Sequence, residues 1–122
     1  MTKSEAGEPR PAAEGETFEL DFAKGDGLIP AIIQDADTGE VLTLFYMDEE
    51  ALRRTRESKQ VWRFSRAEGR LMRKGDTSGN VLHVESIAAD CDRDALVVRV
   101  HPVGPACHTG ERTCFHNPLD DA

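Results

Sequence analysis

The chain has 122 residues, 39% hydrophobic and 31% charged, with a formal net charge of −8. That length leaves room for one domain, and the composition excludes a disordered or fibrous protein. No apolar run approaches the ~20 residues that span a bilayer, and the acidic balance excludes a general binder of nucleic-acid backbone, which needs a basic surface to displace counterions.

Residues 1–17 are rich in Glu, Ala, Pro and Gly without periodicity, so a disordered N-terminal tail is expected ahead of one domain over 18–118. The same stretch lacks the apolar region of a secretory signal, which makes the cytoplasm the expected location. An apolar run over 28–34, turn chemistry in Asp37-Thr38-Gly39-Glu40 and a second apolar run over 41–46 predict a hairpin. Asp48 is placed to cap a helix over 49–58, with acidic residues at its start and arginines further on, as the helix dipole prefers. Segments 61–65 and 70–74 flank Ala67-Glu68-Gly69 and predict a second hairpin. Two further strands are expected over 81–89 and 95–100, with no internal repeat. The fold class is therefore α+β, mainly β-strands with one or two helices, and so little helix makes a core completed by a dimer plausible.

Three cysteines in a chain without an export signal favour metal binding or catalysis over disulfides. Cys107 and Cys114 bracket His108-Thr109-Gly110-Glu111-Arg112-Thr113, and Cys91 lies upstream. Three thiolates suit Zn²⁺ and leave one tetrahedral position open, as a catalytic zinc requires. A structural zinc would want a fourth protein ligand, with His108, His116 or a thiolate from another chain the candidates, and three unrelated buried thiols are the metal-free alternative. Thiolates donate so much charge that a zinc-held water there would need a helper base, and His108 stands next to a proposed ligand; a thiolate-bonding histidine is the other reading.

Asp90-Cys91-Asp92-Arg93-Asp94 carries three carboxylates at alternate positions, which an extended chain would turn to one face. Such a cluster suits a hard cation such as Mg²⁺, although Asp is also the ordinary residue of a solvated turn. Between 61 and 74 the chain concentrates Arg63, Arg66, Arg70, Arg73 and Lys74, followed by Gly75-Asp76-Thr77-Ser78-Gly79. Arginine forks beside a glycine-bounded turn with two hydroxyls are a common phosphate cradle, so Arg66, Arg73, Lys74, Thr77, Ser78 and Gly79 are candidate phosphate ligands. A polar hairpin face is the alternative.

Phe64-Ser65-Arg66 through Arg73-Lys74-Gly75-Asp76-Thr77-Ser78-Gly79, the Asp90–Asp94 run, and Ala106-Cys107-His108-Thr109-Gly110 with Cys114-Phe115 together resemble the phosphoribosyl-AMP cyclohydrolase family of histidine biosynthesis. Gly27-Leu28-Ile29-Pro30-Ala31 and Tyr46-Met47 add to the likeness, which extends over roughly 20–115. The resemblance implies a homodimeric hydrolase whose zinc is held by Cys91 of one chain and by Cys107 and Cys114 of the other, with magnesium at Asp90, Asp92 and Asp94. It implies as substrate an AMP bearing a second phosphoribosyl group on ring nitrogen 1, opened by water between that nitrogen and carbon 6. That chemistry parallels the zinc deaminases, which attack the same carbon of adenine. Met72, Asp76, Ala67, Leu82 and Pro102 stand where the family commonly has tryptophan, glutamate, serine, glutamine and glutamine. A zinc hydrolase or deaminase for another purine nucleotide, or a non-catalytic zinc module, is therefore carried as the alternative.

Overall fold

The computed structural model describes residues 19–120, so the expected tail over 1–17 lies outside the described residues. Among them are a 3-10 turn at Ala23–Gly25, one α-helix and six strands: β1 (Ile29–Asp35), β2 (Val41–Met47), α1 (Glu49–Ser58), β3 (Trp62–Ser65), β4 (Arg70–Arg73), β5 (Leu82–Ala89) and β6 (Leu96–Pro102). The α+β class follows directly.

β1 shows how the sequence builds the core. Its side chains alternate, so Ile29, Ala31, Ile33 and Asp35 are all buried while Pro30, Ile32 and Gln34 face a half-covered side. β2 pairs antiparallel to β1 from Ile29↔Met47 to Gln34↔Val41, with an irregularity at Ile33/Gln34. The expected first hairpin is thus present. On the other edge of β1, β6 runs parallel through Ala31↔Leu96 to Asp35↔Val100, and β5 closes the sheet antiparallel to β6, giving the order β2-β1-β6-β5. Leu96, Val98 and Val100 of β6 join the β1 residues, Leu42, Met47, Val61, Leu82 and Ala106 in one apolar core. Each fully buried Ile, Leu or Val there contributes about 1.5–3 kcal/mol relative to exposure.

α1 starts where Asp48 accepts the amide N–H of Ala51 at 2.7 Å, a cap whose loss costs about 1 kcal/mol. It ends at Lys59, which takes the left-handed conformation at φ 61°. The helix buries Ala51, Leu52 and Thr55, and the Thr55 hydroxyl accepts the N–H of Trp62 at 3.0 Å, tying the helix to β3. β3 and β4 form a separate two-stranded sheet from Trp62↔Arg73 to Ser65↔Arg70, packed beside β2 and α1.

The acidic run is not extended. Asp90 Oδ1 accepts the N–H groups of Asp94 (3.0 Å) and Ala95 (3.3 Å), and Arg93 adopts a left-handed φ of 65°, so Asp90–Asp94 forms the tight connection from β5 to β6. The alternate-face arrangement expected of an extended chain does not occur, because a carboxylate able to cap its own turn competes with the strand.

A candidate metal and nucleotide site

The loop after β6 carries the two downstream cysteines. Its near end is closed by the Ala106 N–H on the Arg112 carbonyl (3.2 Å) and the Cys107 N–H on the Glu111 carbonyl (3.1 Å), and Gly110 makes the reversal at φ 94°. That φ favours glycine because any Cβ there is strained. Cys114 is fixed from the sheet, its N–H donating to the Leu42 carbonyl of β2 at 2.7 Å, and the Thr113 hydroxyl donates to the Val41 carbonyl at 2.8 Å.

This framework brings Cys107 and Cys114 together. Cys107 is only 8% exposed and Cys114 is half-buried. The Thr109 hydroxyl donates to the Cys107 sulfur at 3.1 Å, and His116 Nε2 lies 3.8 Å from the same sulfur. The Thr109 hydroxyl and amide, then His116 and the Cys114 thiol, favour the thiolate against the opposing effect of burial, holding Cys107 down to about 6. Lys74 is near enough to feel the charge of the same pair. Burial pushes its ammonium below the ordinary value and Arg63 acts in the same sense, while the charges of Cys114 and Cys107 oppose them. A thiolate is the form that ligates a soft metal, so a close thiol pair already poised to ionise fits zinc.

Cys91 is elsewhere. It sits exposed in the β5–β6 turn with its thiol against Asp92 Oδ1 at 3.5 Å, and that carboxylate pushes the thiol up. The turn is at one end of β6 and the Cys107 loop at the other, about 20 Å apart for seven extended residues. Among the described residues no group of three or more His, Cys, Asp and Glu side chains is arranged to hold a metal within one chain. The three aspartates have separate duties: Asp90 caps the turn, Asp92 meets Cys91, and Asp94 accepts Lys24 Nζ at 3.0 Å. As they stand, they do not form a magnesium cradle.

The remaining candidates lie along the β3–β4 hairpin and the turn behind it. Arg66 stacks over Tyr46, 4.1 Å from the ring centroid, an aromatic partner its sequence position gave no sign of. Arg73 pairs with Asp76 at 2.9 Å. Thr77, Ser78 and Gly79 are exposed, with the Ser78 hydroxyl accepting the Asn80 N–H at 3.1 Å. Gly75 is required here: a Cβ would come within 2.6 Å of the Val81 nitrogen, so the turn can lie against the start of the next segment only without one. His108 is exposed at the loop tip and next to Cys107 in sequence. Nothing in the sequence marks Thr109 as a thiolate donor, Lys74 as sensing the thiols' charge, or Arg112 as the partner of Asp35.

The fold and the site together define a small α+β domain with a paired, ionisable thiol site and a basic hairpin. Comparison makes it specific. The phosphoribosyl-AMP cyclohydrolase family model matches residues 43–116. The phosphoribosyl-AMP cyclohydrolase of Clostridium botulinum is 54% identical over 101 residues, covering 83% of this chain and 92% of its own. That of Nitrosopumilus maritimus is 50% identical over the same length, covering 83% and 94%. A histidine biosynthesis bifunctional protein of Photobacterium profundum is 56% identical over 101 residues, which are 83% of this chain and 49% of that protein. The chain belongs to the phosphoribosyl-AMP cyclohydrolase family, and it is a hydrolase. No helix among the described residues is long and apolar enough to cross a membrane.

Proposed function

We propose that this chain opens the adenine ring of 1-(5-phosphoribosyl)-AMP between N1 and C6, a step of histidine biosynthesis in the cytoplasm, using zinc held by Cys107 and Cys114 with Cys91 of a second copy. The observation that carries the reading is the thiol pair itself: two sulfurs brought together within the family-matched region, one of them held at about 6 and so available as a thiolate near neutrality. That Cys91 stands at the far end of β6 supports a site completed across a homodimer rather than inside one chain.

Zinc, when bound there, would supply Lewis acidity to a water molecule. The rest falls to the protein. Substitution on N1 leaves C6 electron-poor, so the water oxygen bonds to C6, the N1–C6 bond breaks, and C6 becomes a carboxamide. His108, exposed and next to Cys107 in sequence, takes a proton from the water and returns it to the departing N1. Lys74, near enough to feel the charges of Cys114 and Cys107, keeps a positive charge where negative charge gathers. Arg66, Arg73, Thr77, Ser78 and Gly79 would hold the phosphates of the substrate; for Arg73 this means exchanging Asp76 for a phosphate. Magnesium at Asp90, Asp92 and Asp94 would require Lys24 to leave Asp94, and no step is assigned to it.

The test is turnover of phosphoribosyl-AMP by zinc-loaded protein, followed through the absorbance of the ring-opened carboxamide. Turnover is expected, with His108→Ala keeping zinc but slowing it by roughly 10²-fold or more, the scale of a lost general base. No turnover at full zinc loading overturns the assignment, and equal rates for His108→Ala and the parent remove the base role.

A further inference from the structure

Arg112 bridges the thiol loop and the sheet. Its carbonyl accepts the Ala106 N–H at 3.2 Å, closing the loop next to Cys107. Its guanidinium crosses to the β1–β2 turn, where Nη2 donates to Asp35 Oδ2 at 2.6 Å and to the Thr38 hydroxyl at 3.2 Å, and Nε donates to the Glu40 carboxylate. The acceptor is not a casual surface partner. Asp35 is 4% exposed at the end of β1, and its Oδ1 already accepts the N–H groups of Asp37 (2.8 Å) and Thr38 (3.1 Å). Burial pushes this carboxyl up, and the two amides with Arg112 outweigh it, so Asp35 stays below its ordinary value and charged.

The mechanical consequence follows from how each cysteine is attached. Cys114 is hydrogen-bonded directly to β2 through Leu42. Cys107 is not: its own N–H and that of Ala106 bond to Glu111 and Arg112, within the loop. Ala106 packs into the core on the incoming side, and the returning side is anchored to the sheet by the Arg112 side chain. We propose that Arg112, gripped by buried Asp35, is a positioning residue that sets the spacing of Cys107 against Cys114 and thereby the affinity of the thiol pair for zinc. This rests on the zinc reading above. Metal ligands tolerate only about 0.5 Å of misplacement, and groups that orient them change metal affinity by about 10–100-fold.

The experiment is zinc affinity by competition with a chromophoric chelator, on the full chain, well below the unfolding midpoint of every variant. Arg112→Met is expected to weaken zinc by about 10–100-fold, while the zinc-saturated enzyme keeps its KM within about twofold. Arg112→Lys, a point charge that cannot fork to two carboxylates, should recover only part of the loss. Removing Arg112 alone leaves a buried charge, so Asp35→Asn and the double variant Asp35→Asn/Arg112→Met are measured beside it. If the pair acts as a unit, the double variant loses no more zinc affinity than either single one. Variants that bind zinc as tightly as the parent while only their thermal midpoints fall would overturn the positioning role and leave a stabilising ion pair. A parent chain that takes up no zinc would instead overturn the proposed function, and this inference with it.

Discussion

At the scale of single residues, two thiols of the chain differ in how readily they ionise. Cys107 is held at about 6 by Thr109, His116 and Cys114, whereas Cys91 is pushed above its ordinary value by Asp92. In metal-free protein, the alkylation rate of Cys107 should therefore have its midpoint near pH 6 and level off just above neutral pH, while that of Cys91 keeps rising into the alkaline range. Mass spectrometry of each cysteine after timed iodoacetamide treatment reads both curves; a Cys107 curve centred near 9, the ordinary thiol value, would contradict the arrangement. The sequence signals for a metal site were the three cysteines and the Thr109-Gly110 loop between Cys107 and Cys114, not their spacing, because residue type and loop composition carry that information. The role of Lys74 did not show in sequence. Its place in a basic run next to Arg73 suggested a common phosphate duty, but Arg73 pairs with Asp76, whereas Lys74 is partly buried and feels the charges of Cys114 and Cys107.

At the scale of elements, local signals were the most legible. The helix over Glu49–Ser58 coincides with its expected bounds because Asp48 caps it and Lys59 ends it, both short-range events. Both expected hairpins form for the same reason, since turn chemistry and strand alternation act within a few residues. Asp90–Asp94 was harder, because alternating carboxylates read equally as a strand face or as a capped turn, and hydrogen bonding to Asp90 decided for the turn. A further connection between elements depends on pH. His101 of β6 meets Glu85 of β5 at 2.7 Å through Nε2 and Asp37 of the β1–β2 turn at 3.5 Å through Nδ1. The Glu85 hydrogen bond is the largest influence, burial opposes it and the charge of Asp37 reinforces it, so His101 stays protonated above its ordinary value of 6.5. A raised histidine contributes stability that is fully present below about 6.5 and is lost as pH rises through the folded value. The thermal midpoints of the parent and His101→Gln should therefore differ most in mildly acidic buffer and converge in alkaline buffer. A gap that widens with pH would show that the bridge has the opposite sign.

At the scale of the whole molecule, the sheet order β2-β1-β6-β5 decides which cysteines can meet. The parallel pairing of β1 with β6 joins segments more than sixty residues apart, and no local pattern encodes such a partner. That pairing fixes β6 across the centre of the sheet and separates the Cys91 turn from the Cys107 loop by the length of the strand. Resemblance implied a site divided between two chains, and the single chain presents Cys107 and Cys114 without Cys91. The account therefore stands on the claim that one chain supplies two sulfurs and its partner the third. Zinc content after mixing Cys91→Ser with Cys107→Ser under conditions of subunit exchange tests it most directly. Each variant alone should hold little zinc, and mixing should restore zinc binding and ring opening, because a mixed dimer joins Cys91 of one chain with Cys107 and Cys114 of the other. A mixture that binds no more zinc than its separate components, or a Cys91→Ser protein that retains the parent's full zinc content, would contradict it.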